Sequence, residues 1–359
     1  MRKMIILLFL MQITSMLATG LLAISDTQAL IVRGIIGASI LYLYLKELTA
    51  NPYLIATSLL LIVVFAINRN FTSINILFTV WLIFLMRRPG PDEIIKVIFY
   101  STLLFSIIFC AFIVKGVIHP DIVYIMETGR YRNNLGFWSA NYPGFISFSC
   151  FMTLLCCIGY LRSAVSFKYR LIAFIVMSVC FFTPWIADSR TPGYAMIISL
   201  VFFVCVSLRP IRKFAILFLP FVPLLMFSLT VYLSKLHGGK IDFLLSGRLS
   251  YYNDYLSNID PMSILIGSPL PDFALDSSYL VLFSAFGVFY LLAITYLLYK
   301  ATTNNPNKYF ITLIFSVLCY GFTEAVMARS EIPVVILFMS LMFIKTKSSY
   351  SKTQTKQPA

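Results

Sequence analysis

Charge is what this chain has least of. Only 12% of its 359 residues are Asp, Glu, Lys or Arg, while 60% are hydrophobic and the mean hydropathy is +0.89. A soluble globular domain carries about 25% charged residues. A chain so poor in charge cannot cover a water-facing surface, which excludes an ordinary soluble fold and leaves burial in lipid. Acids are scarcer still, 14 against 28 bases, and no two of them form an Asp-x-Asp pair. Clustered carboxylates of the kind a metal-dependent transferase uses are therefore missing, and neither a metal nor a cofactor is predicted. The seven cysteines lie inside apolar stretches, without zinc-type spacing or a disulfide framework. They read as small buried apolar residues. No internal repeat is evident.

What is present is a succession of apolar runs. Spanning hydrocarbon takes about 20 residues per helix, and twelve segments can be marked: 4–24, 30–45, 53–67, 71–86, 94–118, 142–161, 171–187, 192–208, 211–234, 277–299, 309–323 and 332–344. The third, fourth, eleventh and twelfth are short, and either pair could form a re-entrant hairpin. Arg2-Lys3 ahead of the first run resembles a signal peptide. That run exceeds the roughly 7–15 residues of a cleaved apolar region, so it reads as a retained helix. The expected fold is an all-α polytopic membrane protein of about 12 transmembrane helices. It would form a single transmembrane domain over 1–346, followed by a basic cytoplasmic tail over 347–359.

The net charge of +14 does not point to nucleic acid, because the bases sit in short clusters between apolar runs. With the N-terminus cytoplasmic, the inner connections collect eighteen of the 28 bases, from Arg2 and Lys3 through Arg162, Lys168 and Arg170 to Lys352 and Lys356. Only Glu47, Asp92 and Glu93 join them as acids. Lys and Arg accumulate on the cytoplasmic side of membrane proteins, so both termini are expected inside. The two long connections, 119–141 and 235–276, then face outward.

Seven arginines fall on that outer half: Arg33, Arg69, Arg130, Arg132, Arg190, Arg248 and Arg329. One alone would snorkel to lipid phosphate or pair locally, as Asp188 could do with Arg190. Several converging suggest a polar cavity. Guanidinium groups offer fixed, bidentate donors to phosphate, which suits a lipid-linked phosphate or pyrophosphate. Arg248 follows Ser246-Gly247, a pair that lets the backbone turn tightly, and reads as a solvated loop arginine able to grip pyrophosphate.

The outer segments carry Arg130-Tyr131-Arg132-Asn133-Asn134-Leu135-Gly136-Phe137, then Asn141 and Gly144, then Ser189-Arg190-Thr191. Ser246-Gly247-Arg248 and Asp276-Ser277-Ser278-Tyr279-Leu280 follow, with Gly287 beyond. In this order, from about Arg130 to Gly287, the chain resembles the O-antigen and capsular polysaccharide polymerases (Wzy type), which share a superfamily with the O-antigen ligases. Ser139-Ala140-Asn141 stands where many relatives have His-Pro-Asn. No histidine precedes Asp276 in 270–275, which favours polymerase over ligase.

The resemblance implies a helical glycosyltransferase fold of the C type in the bacterial cytoplasmic membrane. It implies an undecaprenyl-pyrophosphate-linked oligosaccharide as substrate, membrane lipids as surroundings, and a chain-length regulator and a flippase as partners. Arg132, Arg190 and Arg248 are its substrate-binding or catalytic positions, and Arg130, Asn141, Asp276 and Tyr279 substrate-binding ones; Arg33, near the outer end of the second run, is a further substrate-binding candidate from its position alone. The activity implied is the joining of lipid-linked repeat units into a polysaccharide on the outer face. An O-antigen ligase or other lipid-linked glycosyltransferase, and a flippase, are the alternatives. The acceptor hydroxyl needs a general base, for which Glu127, Asp188, His237 and Asp254 all remain open. Asp276, just ahead of an apolar run, reads equally well as a helix N-cap.

Overall fold

The computed structural model describes residues 2–21, 35, 39, 42, 52–86, 90–125, 130–244, 247–271, 273, 275–329 and 331–344. The expected second helix at 30–45, Arg33 within it, lies outside the described residues apart from three isolated positions, and so does the tail after Ile344.

The described chain is mostly helical. Helix α1 (Arg2–Ser15) runs on into a π-helical turn at Met16–Leu21; α2 (Pro52–Asn68), α3 (Phe71–Met86) and α4 (Pro91–Ile118) follow. A hairpin of β1 (Ile122–Ile125) and β2 (Arg130–Asn133) leads to α5 (Asn141–Leu161), α6 (Phe167–Ile186) and α7 (Arg190–Cys205). Next come α8 (Arg209–Phe218) and α9 (Val222–Ser234), joined by a 3-10 turn, and the short α10 (Lys240–Leu244), α11 (Arg248–Ser257) and α12 (Pro261–Ile266). The chain closes with α13 (Ser278–Phe286), α14 (Val288–Asn304), α15 (Lys308–Thr323) and α16 (Pro333–Phe343). Several helices begin with proline in the first turn, where its missing N–H costs nothing. Asn307 caps α15 by accepting from the Tyr309 N–H at 3.0 Å.

Helix α5 is the hub, packed against α4, α6, α7, α15 and α16. Four helical runs are long and apolar enough to cross a membrane: Pro91–Ile118, Asn141–Leu161, Phe167–Ile186 and Arg209–Ser234. The pair α13 and α14 makes a fifth if taken as one span. Other apolar helices, such as Lys308–Thr323 and Pro333–Phe343, are shorter, at 10–17 residues.

Three expectations change. Against the all-α expectation, the first long connection carries a hairpin: β1 and β2 pair antiparallel, Val123 opposite Arg132 and Tyr124 opposite Tyr131, whose rings sit 4.9 Å apart. The second is wound into α10, α11 and α12. And the run at 277–299 is no single rod, because the chain turns by 116° between α13 and α14. Gly287 makes that turn at φ +61, a left-handed backbone, with the Leu265 and Ile264 carbonyls where a Cβ would stand. The carbonyls freed by the break find partners: that of Ser284 accepts from the Ser268 N–H at 2.6 Å and that of Ala285 from Asn68 at 3.0 Å. Asn68 and Asn70 also hold the crossing segment, donating to the carbonyls of Ile266 (2.5 Å) and Ser268 (3.2 Å). In an apolar setting such compensation is what permits a broken helix.

The bundle has two unlike ends. At one, the start of α15 meets the end of α5: Cys156 Sγ lies 3.1 Å from the Tyr309 carbonyl, and the Tyr160 and Phe310 rings touch. The Tyr160 hydroxyl donates to Asp92 at 2.6 Å, which brings the start of α4 there too. Arg162, Lys168 and Arg170 follow in the turn out of α5 and the first turn of α6, and Lys308 Nζ reaches Ser207 Oγ at 3.2 Å. The opposite end gathers the starts of α3, α5 and α13 and the finish of α15, around a cavity.

Candidate functional site

The cavity has a volume of about 660 Å³. Its walls come from α3, from the entry to α5, from the link before α13 and from the link after α15. Seven polar side chains face it, among them Asn75, Asn141, Asp276, Glu324 and Arg329. Trp138 stands at its edge, 70% exposed.

The first long connection supplies one side. Asn141 opens α5, and its side-chain oxygen accepts from Arg132 Nη1 on β2 (3.3 Å) and from Ser189 Oγ ahead of α7 (3.4 Å). The Arg132, Asn141 and Ser-Arg-Thr positions therefore meet around one side chain. Arg190 itself points elsewhere. It is 49% exposed, paired with Asp188 at 2.8 Å, and is not part of the cavity wall.

The second long connection supplies the other side, and Arg248 proves to be no solvated loop residue. Its side chain is only 19% exposed. Nε meets Asp276 Oδ2 at 2.8 Å, Nη2 meets Glu324 Oε1 at 3.1 Å, and Nη1 donates to the Thr323 carbonyl. The donors expected to grip pyrophosphate are engaged inside the protein. Burial works against the charge of Arg248, yet Glu324 and then Asp276 hold its pKa above the ordinary guanidinium value. Burial likewise pushes the Glu324 carboxyl up from its usual range, with Arg248 pulling against it.

A buried carboxylate sets the arginine in place. Asp242 on α10 accepts from the Leu249 N–H (2.8 Å), the Ser250 hydroxyl (2.6 Å) and the Gly238 N–H (3.0 Å). These bonds outweigh the cost of its burial and lower its pKa. They cap the first turn of α11, and Gly247, at φ +75, donates to the Asp242 carbonyl at 2.8 Å. Arg248 is the next residue.

Of the remaining expected site residues, Asp276 lines the cavity but does not cap α13, whose N-cap is Ser277. Its carboxylate is spent on Arg248 instead. Tyr279 is fully buried and donates to the Leu318 carbonyl at 2.7 Å, so it is core and not wall. Arg130 pairs with Ile125 in the hairpin. Glu127, one candidate base, lies outside the described residues, while Asp188, His237 and Asp254 are not part of the cavity wall.

Sequence reasoning passed over Glu324 and gave Arg329 no role of its own. The Arg329 guanidinium lies 5.0 Å from the centroid of the Phe145 ring, and among the described residues it has no hydrogen-bond or ion-pair partner. The signal was there: Glu324, Arg329 and Glu331 are the only charges between Lys308 and Lys345. Charges isolated in apolar sequence mark functional sites.

Comparison with protein-family models, with curated proteins and with solved structures finds no match for the chain.

Proposed function

We propose that the chain is a polysaccharide polymerase of the bacterial cytoplasmic membrane, joining undecaprenyl-pyrophosphate-linked repeat units on the outer face. The observation that carries this reading is the cavity. Its walls draw on both motif-bearing outer segments, and it holds an open arginine, Arg329, beside two carboxylates, Glu324 and Asp276. A glycosyl transfer from a lipid pyrophosphate develops negative charge on the leaving group, which pre-placed guanidinium groups stabilise most in the transition state. Arg329 offers its whole fork to that charge, and Arg132 supports it from beside Asn141. Trp138, exposed at the rim, presents a ring face on which a sugar can stack.

The orientation follows from the two ends of the bundle. The end holding Arg162, Lys168, Arg170 and Lys308 is the cytoplasmic one under the positive-inside rule, so the cavity opens outward. About 12 spans with both termini inside, in a C-type glycosyltransferase-like arrangement, complete the proposal. The short apolar helices then cross with their flanking residues or dip part-way. A site confined to one end suits a transferase better than a flippase, which needs a polar path through the bilayer.

The test is the glycan of a strain from which the chain is deleted. A polymerase leaves single repeat units at the surface in place of a long ladder, and restoring the chain restores the ladder. Long lipid-linked polymer left unattached would mean a ligase. Repeat units trapped on the inner leaflet would mean a flippase.

A further inference from the structure

Glu324 is held as few surface-loop acids are. Its N–H donates to the Tyr320 carbonyl at 3.0 Å, and its own carbonyl accepts from the Ser278 hydroxyl at 2.7 Å. The side chain is 16% exposed and faces the cavity. Oε1 is fixed by Arg248 at 3.1 Å, and among the described residues no group hydrogen-bonds Oε2. One oxygen is anchored and the other is left for a ligand.

We propose that Glu324 is the proton acceptor for the incoming sugar hydroxyl, with Arg248 as the positioning residue that aims it. The idea rests on the transferase reading above and adds a role to it. In the step, the Glu324 carboxylate takes the hydroxyl proton as the hydroxyl oxygen bonds to the anomeric carbon of the donor. The bond from that carbon to the pyrophosphate oxygen breaks, and its electron pair leaves with undecaprenyl pyrophosphate. Atoms and charge balance without a further reactant, and the proton passes from Glu324 to solvent before the next transfer. Asp276, more open at 35% exposure, shares Arg248 through Nε and competes for the same role. The charged and titratable groups around Glu324 are Arg248 and Tyr252 from α11, Asp276 ahead of α13, Tyr320 on α15 and Arg329 on its own link.

The experiment uses the full chain in membranes, supplied with lipid-linked repeat units extracted from the deletion strain. Glu324→Gln keeps the shape and an oxygen for Arg248 but cannot take the proton. Its kcat is expected to fall by about 10²- to 10⁴-fold, with KM for the lipid substrate little changed. The wild-type enzyme should lose activity as pH falls through a limb above 4.5, the ordinary glutamate value, because only the ionised carboxylate is a base. Glu324→Asp should keep part of the activity and move that limb. If Glu324→Gln fails to accumulate, the moved limb in Glu324→Asp decides alone. Wild-type kcat and an unmoved acid limb in the glutamate variants would overturn the proposal, as would loss of the limb in Asp276→Asn and not in Glu324→Gln. Wild-type membranes that form no polymer at all would instead sink the transferase reading, and this role with it.

Discussion

The two ends of the helical bundle use charge in opposite ways. At the end of α5 that meets α15, the charges are mostly basic, and Lys168, Arg170, Arg209 and Lys213 are exposed near the starts of α6 and α8. Around the cavity, bases and acids occur together, and Arg248 is largely buried between Asp276 and Glu324. The first pattern needs no partner geometry, since exposed cations on one side are enough to orient a membrane chain. The second costs desolvation and persists only where each charge is paired and hydrogen-bonded. The same residue type is thus left exposed at one end and paired inside the protein at the other.

The sharpest way to break that comparison is to ask which end meets the outside. In a cysteine-free background, a cysteine placed at Trp138, on the cavity rim, should label fully with an impermeant thiol reagent. One placed at Ser166, between α5 and α6, should stay silent. Labelling at Ser166 with silence at Trp138 would reverse the orientation and take the outer-face transferase with it.

Next in size is the broken helix that supports the cavity end. Gly287→Val puts a branched side chain at a left-handed backbone and against two carbonyls. Strain and overpacking together should cost about 3 kcal/mol or more, and the variant should be strongly depleted from membranes on an immunoblot. An equivalent change at Gly90, where the backbone is extended and a Cβ meets nothing, should leave abundance near wild type.

Arg248 then separates stability from chemistry. Removing it leaves Glu324 and Asp276 without their counter-charge, a loss of about 3 kcal/mol for a largely buried pair. Arg248→Ala should therefore lower the melting temperature of the detergent-solubilised protein as well as abolish polymer formation. Arg248→Lys keeps the charge but not the fork that reaches two carboxylates and the Thr323 carbonyl, so it should fall between. An alanine variant as stable as wild type would show that the internal pairs contribute nothing. By contrast, Arg170→Gln at the basic end should change melting by no more than about 0.5 kcal/mol in equivalent stability.

Much of the helical layout was legible, because long apolar runs bounded by charge admit little else. Apart from α10, α11 and α12, the described helices from Pro52 onward fall close to the marked segments, and the local pairing open to Asp188 and Arg190 is present at 2.8 Å. The 116° turn at Gly287 was not legible. Apolar residues flank that glycine on both sides, and what bends the chain is the close approach of 264–265, supported by Asn68 some two hundred residues away. The hairpin escaped notice because Arg130-Tyr131-Arg132-Asn133 lacks an apolar alternation. Within the site, local motifs pointed to Asn141, Asp276 and Arg248. The burial of Arg248 depends on Glu324, 76 positions further on, and no local pattern records such a pair. Arg329 needed the same long-range view, since only the fold sets it over Phe145 beside the cavity.

If the cavity binds the phosphates of a lipid-linked glycan, Arg329 is its one open guanidinium among the described residues. The most direct measurement is the rate at which membranes with matched amounts of chain convert extracted lipid-linked repeat units into polymer, comparing Arg329→Ala, Arg329→Lys and Arg190→Ala. Losing a charge-assisted contact made in the transition state is worth about 10²–10³ in rate. The account predicts that loss for Arg329→Ala, a partial loss for Arg329→Lys, and a much smaller effect for Arg190→Ala, whose arginine is exposed and paired with Asp188. Wild-type polymer formation by Arg329→Ala, with Arg190→Ala inactive at equal abundance, would contradict it.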